Sequence, residues 1–351
     1  MKKLNIALLA GGNSSEREVA LASAAMILDA FDRSRYNVIP VDVHGLHWTC
    51  KGAGDRKVEV DKTDFSVPVG DGKIRFDYAF IMIHGTPGED GKLQGYLEMM
   101  GIPYSTSGFV SSVETFDKTL CKRIVSEIDG LCLAREVLLR RGDRVDADAI
   151  AARLGLPVFV KPNASGSSCG VTKVKSVADM VPAIERAFTE SDAVLIEEFI
   201  EGREFGCGVW ITADGIRALP VTEIKSHKEF YKVGDKKVVM PVAEVIPKKE
   251  FFDYEAKYTA GMSDEITPAE IPAAATVRIQ RLAEAAAKAC NCRGIVRVDF
   301  IMTPTGDIYM VEINSVPGMS GGSIVPKQIA AAGLNMTEVI NAVIEDTLCR
   351  R

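Results

Sequence analysis

Apolar and polar positions along the chain follow two periods, and the period in force assigns most of the elements. Residues 4–10, LNIALLA, are apolar but for Asn5 and of strand length, which reads as a strand buried on both faces. After the turn Gly11-Gly12-Asn13-Ser14-Ser15 the period lengthens, with Val19, Ala22, Ser23, Met26, Ile27 and Ala30 along one helical stripe. Strand, Gly turn and helix in this order form the ligand edge of an open α/β sheet. Residues 36–43 and 77–83 predict two more strands, 92–100 a helix, and Ile102-Pro103-Tyr104 a short strand. Residues 44–75 are polar and turn-rich and predict no clear element. These pieces make a first domain, residues 1–115. A second, 116–205, holds helix 117–128, strand 156–161, a Gly/Ser loop, strand 171–175, helix 177–190 and strand 193–197. The third, 206–351, opens with a hairpin of 206–212 and 216–223 about Asp214-Gly215. A long, Lys-rich, irregular stretch over 225–268 reads as a lid. An Ala-rich helix, 272–291, follows, then a hairpin, then helices 326–333 and 336–349. The fold class is α/β joined to α+β.

The hairpin carries the strongest chemistry. The runs IVRVDFIM and DIYMVEIN flank the turn Thr303-Pro304-Thr305-Gly306 and alternate with period two. Arg297 and Asp299 share one face of the first strand, Glu312 and Asn314 one face of the second. The register expected here sets Asp299 opposite Glu312 and Arg297 opposite Asn314, with paired Cβ atoms roughly 4.5–5.5 Å apart. Two carboxylates and an amide oxygen at that separation suit a hard divalent cation. A solvated ion-pair ladder would alternate in the same way. The segment that follows, Val316-Pro317-Gly318-Met319-Ser320-Gly321-Gly322-Ser323, is rich in small residues and backbone N–H groups, as an anion or oxyanion site requires. A cation face running into an anion loop favours a functional site.

Other candidates are weaker singly. Glu16 lies in the first turn of the first helix, where an acid complements the dipole or points into the crevice to hold an ammonium group. His84 ends a predicted strand, at the sheet edge where α/β folds bind ligands. Lys161 roots the loop Pro162–Gly170, whose free N–H groups suit phosphates. There is neither a G-x-G-x-x-G fingerprint nor a Walker A loop. Strand 193–197 leaves its sheet through Glu197 and Glu198, one way to present backbone and carboxylate to a purine and a ribose.

Composition narrows the classes. The 351 residues are 47% apolar and 26% charged, an ordinary globular balance. A net charge of −6 and the lack of a basic tract argue against a nucleic-acid partner. No apolar run approaches ~18 residues, so no membrane span is expected. The seven-residue apolar start reads as a strand and not a signal peptide. Eight cysteines without a C-x-x-C pair read as free thiols of a reducing, cytoplasmic compartment; Cys290 and Cys292 have no cluster to complete a metal site.

Taken together, AGGNSSEREVAL, IHGTPGEDGKLQGYLEMMGIPY, Asp117-Lys118, LPVFVKPNASGSSCGV, VLIEEFIEGREF, FFDYEAKY, ITPAEIP, RVDF and EINSVPGMSGGSIVP resemble the ATP-grasp superfamily and, within it, the D-alanine–D-alanine ligase family. They run in the family's order over nearly the whole chain. The resemblance implies an ATP-grasp fold preceded by an N-terminal open α/β (pre-ATP-grasp) domain. It implies ATP-dependent joining of two D-alanine molecules through an acylphosphate, for peptidoglycan precursors. It implies two Mg²⁺ ions, with Mn²⁺ a possible substitute, held by Asp299, Glu312 and Asn314. Lys118, Lys161 and Lys257 would serve ATP, together with Ser167 and Ser168 of the covering 165–170 loop. Glu197, Ile200 and Glu204 would take adenine and ribose. Arg297 and the Gly318 N–H would form the oxyanion hole. Glu16 would hold the first substrate's ammonium, with His84 near its carboxylate; Ser323 and Lys257 would hold the second carboxylate. Glu16, Ser167 and Tyr258 would lock the lid, and Tyr258 points to D-alanine as second substrate. The family also implies a homodimer through the first domain.

Two features depart from the family's pattern. Ala164 stands where many members carry a basic residue, and the Lys-rich 225–250 approach to the lid is longer than in compact members. Two other readings stand beside the dipeptide ligase. One is an ATP-grasp ligase taking D-lactate or D-serine second. The other is a nucleotide-binding regulatory protein, which the presence of Asp299, Glu312 and Arg297 disfavours.

Overall fold

The computed structural model describes residues 3–52, 56–166, 169–226, 231–233, 236–238 and 263–349. It divides into two compact units, one of Met1–Arg135, Ile200–Thr222 and Thr267–Arg351, the other of Glu136–Phe199 and Glu223–Ile266.

The first unit begins with the strand Leu4–Gly11, which lies between Tyr36–His44 and Tyr78–Ile81, parallel to both. The apolar run from Ile6 to Ala10 is explained by burial on two sides. Ile6, Leu8 and Ala10 enter one core with Ala24, Ile27, Val339 and Val343. Ala7 and Leu9 enter another with Trp48, Phe65, Leu93 and Leu97. Full burial of such side chains is worth about 1.5–3 kcal/mol each. The first helix, Arg17–Leu28, buries Ala20, Ser23, Ala24 and Ile27. That face is rotated from the predicted stripe: Ala22 is exposed and Met26 is 44% exposed, because the small Ala20 and Ala24 let the helix lie closer to the sheet. The unassigned stretch 44–75 holds four short strands, including His47–Lys51 antiparallel to Tyr36–His44. Helix Phe109–Phe116 was not anticipated either.

A second sheet of this unit runs in the order Arg203–Thr212, Gly294–Met302, Ile308–Asn314, Leu131–Cys132. Helix Ala273–Ala289 covers one face, with Ile279, Ala283, Ala286 and Ala287 against Phe205, Cys207, Val296, Val298 and Phe300. The alternate residues, among them Arg297 and Asp299, therefore face the other way. The hairpin has the expected pairs Arg297↔Asn314 and Asp299↔Glu312. Beyond them the register shifts, so that Phe300 faces Met310 and Val311 is the extra residue of a bulge. The bulge reconciles two demands: Ile308, Met310 and Ile313 are all in the core, yet Glu312 and Asn314 stay beside Asp299 and Arg297.

The second unit is an antiparallel sheet ordered Thr172–Val174, Val158–Pro162, Ala193–Glu198, Glu136–Arg140. Helices Ala147–Leu154 and Met180–Ala187 pack on the face of Val158, Val160, Val194 and Ile196. The sequence had predicted nothing for 133–155, where Glu136–Arg140 and the first of these helices lie. The stretch expected to be irregular, 225–268, contains strands Tyr231–Val233, Lys236–Val238 and Ser263–Ile266, the last antiparallel to Thr222–Ser226. Among the described residues no helix is long and apolar enough to cross a membrane.

Candidate active site

The first wall grows from the turn after strand Leu4–Gly11. Gly12 has φ +99°, and a Cβ there would lie 2.6 Å from Ile83 Cγ2, so glycine is required. Gly12 N–H donates to Val43 O and Asn13 N–H to Thr86 O. Arg17 Nη2 donates to both Asp42 oxygens, at 2.7 and 2.8 Å. This turn sets Glu16, 6% exposed, at the head of helix Arg17–Leu28.

Strand Tyr78–Ile81 leads to His84, which is also buried. His84 Nδ1–H donates to Val316 O at 2.7 Å. Its Nε2 lies 3.3 Å from Ser23 Oγ, which itself accepts Met319 N–H at 3.1 Å. The chain of donors is consistent with a neutral imidazole that accepts at Nε2 from the Ser23 hydroxyl. Burial lowers the His84 pKa below its usual 6.5, with the Glu16 charge opposing. Glu89, 6% exposed, accepts Gly85 N–H at 2.8 Å and Val316 N–H at 3.0 Å. Burial and the nearby Glu16 charge push its pKa up to about 8.

A folded-state pKa below the unfolded one means that the unfolded chain binds more protons in acid. The His84 contribution is therefore complete above its ordinary value of 6.5 and lost as pH falls towards the lowered folded value. His84→Gln should flatten the acid slope of unfolding free energy in that window, measured by denaturant titration at stepped pH. An unchanged slope would refute the assignment.

The hairpin supplies the charged face. Arg297 Nε and Nη2 fork onto Asp299 Oδ1 and Oδ2 at 2.7 and 2.8 Å. Asn314 Nδ2 donates to Asp299 Oδ2 at 3.0 Å. Lys118 heads helix Lys118–Val125, whose cap Asp117 accepts Leu120 N–H at 2.8 Å. From there its Nζ reaches Glu312 Oε2 at 3.3 Å. Glu204 on the adjacent strand pairs with Ile301, and Ile200 is half-buried just before that strand. Among the described residues no group of three or more His, Cys, Asp or Glu side chains could hold a metal. The donor set here is two carboxylates and an amide, which fits a hard cation that takes its remaining ligands from water and phosphate.

Loop 316–323 closes this side. Val316 N–H goes to Glu89, Pro317 has no N–H, and Met319 N–H goes to Ser23. Among the described residues none accepts a hydrogen bond from the Gly318 N–H. A Cβ on Gly318 would sit 2.8 Å from Ser323 Oγ. Ser323 precedes helix Ile324–Ala331 but turns its hydroxyl back to Ser320, taking Ser320 N–H at 3.1 Å. Behind it, the fully buried Gln328 donates to Gly206 O and accepts Gly208 N–H.

Glu16, His84, Lys118, Ile200, Glu204, Arg297, Asp299, Glu312, Asn314, Gly318 and Ser323 thus all belong to the first unit. In the second, Lys161 and Glu197 are both buried and form an ion pair on the sheet face opposite the helices. Ser167, Ser168, Lys257 and Tyr258 lie outside the described residues. Sequence reasoning missed Ser23, Glu89 and Gln328. Glu89 stood in a recognised motif, but nothing in the sequence told an exposed turn acid from a buried one. Ser23 and Gln328 are polar positions on otherwise apolar helix faces, which was the available signal.

Family models agree with this architecture. One described as the D-ala D-ala ligase N-terminus matches residues 5–107. One described as the D-ala D-ala ligase C-terminus matches residues 126–238 and 233–345. The curated D-alanine–D-alanine ligase of Bacteroides fragilis (strain YCH46) is 42% identical over 344 residues, 98% of this chain and 99% of that protein. Among solved structures, D-alanyl-alanine synthetase A from Vibrio cholerae superposes with a TM-score of 0.82 at 28% identity, covering 99% of both chains. The VanG D-Ala:D-Ser ligase from Enterococcus faecalis superposes with a TM-score of 0.77 at 28% identity, covering 98% of this chain and 99% of that one. The class these folds define is that of the ATP-grasp ligases. Within it, the chain belongs to the D-alanine–D-alanine ligase family.

Proposed function

We propose that this protein condenses two D-alanine molecules to D-alanyl-D-alanine at the expense of ATP, supplying the dipeptide for peptidoglycan precursors. One observation carries the reading: the Arg297–Asp299, Glu312–Asn314 face runs directly into a loop whose Gly318 N–H has no acceptor among the described residues. The 42% identical relatives that are named D-alanine–D-alanine ligase support D-alanine at both subsites over D-serine or D-lactate.

Glu16 holds the ammonium of the first D-alanine. A carboxylate oxygen of that substrate attacks the γ-phosphorus of ATP, the bond to ADP breaks, and an acylphosphate forms. The amine of the second D-alanine then attacks the acyl carbon. Arg297 and the Gly318 N–H stabilise the oxyanion, the phosphate leaves, and the amine gives up its proton. Ser323 and Lys257 hold the second carboxylate, and His84 fixes the loop between the two subsites. Lys118 contacts phosphate, as do Lys161 and the 165–170 loop with Ser167 and Ser168. Glu197, Ile200 and Glu204 take adenine and ribose, while Glu16, Ser167 and Tyr258 lock the lid. Asp299, Glu312 and Asn314 would hold Mg²⁺, which when bound neutralises charge on the β- and γ-phosphates.

The test is phosphate release from ATP and Mg²⁺ with D-alanine, L-alanine, D-serine, or D-alanine plus D-lactate, with product mass. Turnover with D-alanine alone, yielding the dipeptide, is expected. Release only with a mixed pair would move the second substrate, and no release with any of them would overturn the reading.

A further inference from the structure

One buried carboxylate, Glu89, has no part in the chemistry above. Its turn does not need it: Gly88 N–H and Glu89 N–H both close onto Gly85 O at 2.8 Å through backbone alone. The side chain instead joins Gly85 N–H, in its own segment, to Val316 N–H, 227 residues further along the chain from Glu89. His84 takes the carbonyl of the same Val316, so both polar groups of that residue are fixed by side chains from one short segment. Ser23 fixes Met319 N–H, and Pro317 offers no donor. The Gly318 N–H is thus held between two anchored neighbours. A buried carboxylate is a costly way to satisfy two amides, and its raised pKa reflects that cost. Such a group suits a place where a backbone donor must not drift.

Resting on the ligase reading, we infer that Glu89 is a positioning residue for acyl transfer. It sets the height of the Val316 backbone and, through it, the direction of the Gly318 N–H. Glu89→Gln keeps the length but loses one of the two acceptors. Glu89→Asp keeps the carboxyl group but is one methylene too short to bridge both amides.

Both variants are expected to lose roughly 10–100-fold in kcat, the scale of one buried hydrogen bond or a 1 Å misplacement. KM for ATP should stay within about twofold. Amide hydrogen exchange at Gly318 and Met319 should quicken in both. Unchanged kcat, full recovery in Glu89→Asp, or a KM for ATP that rises as kcat falls would each overturn the inference. Wild-type turnover with D-alanine tests the ligase reading separately, and the exchange measurement stands even if that reading fails.

Discussion

Asp299→Asn is expected to reduce dipeptide synthesis by roughly 10²–10⁴-fold, the equivalent of several kcal/mol of charge stabilisation. The substitution removes two things at once. Asp299 is one of two carboxylates in the proposed cation face, and it is also the seat of the Arg297 fork, gripped at 2.7 and 2.8 Å. Asparagine has a single acceptor oxygen, so Arg297 would keep at most half its grip. The Asn314 amide, which donates to the same carboxylate, would face another amide. Titration calorimetry of ATP with and without Mg²⁺ separates the effects. A lost Mg²⁺ dependence of ATP binding marks the cation face, and a kcat close to wild type would exclude Asp299 from the site.

Arg297→Lys should lower kcat by roughly 10²–10³-fold while leaving Mg²⁺-dependent ATP binding close to wild type. Charge is kept, so a role in simple neutralisation would survive the change. What is lost is the planar fork, which spends two donors on Asp299 and leaves others for the proposed oxyanion. The double variant with Asp299→Asn should fall short of the product of the two single losses, because each breaks the same pair. Multiplicative losses would mean that the two residues act separately.

The hairpin was legible because its chemistry obeys a period of two and its turn is short. Alternation was enough to put Arg297 and Asp299 on one face and Glu312 and Asn314 on another, whereas the pairing of Asp299 with Glu312 depends also on the bulge. The bulge at Val311 was not legible, since an extra residue leaves no mark on composition. The first strand was legible for the same kind of reason: only burial on both sides explains LNIALLA. The face of the first helix was misjudged because Ala20 and Ala24 are too small to stand out from Ala22 in a pattern, though packing separates them sharply. The short strands over 44–75 and the stretch 133–155 depend on long-range pairing, which no local window carries. His84 was found by its place at a strand end. Its partners Ser23 and Val316 come from two other parts of the chain and become neighbours only on folding.

The bulge in the second strand makes the site depend on arithmetic as well as on chemistry. From Ile308 to Met310 the strand keeps one parity, and from Glu312 to Asn314 the other. A perfectly regular ladder of the same sequence would turn Glu312 and Asn314 towards helix Ala273–Ala289 and bury their charge and amide among alanines. The strand therefore has a reading frame of two. Substitutions at Val311 leave that frame intact, whereas the loss or gain of a single residue there would invert the polarity of everything downstream as far as the loop that begins at Val316.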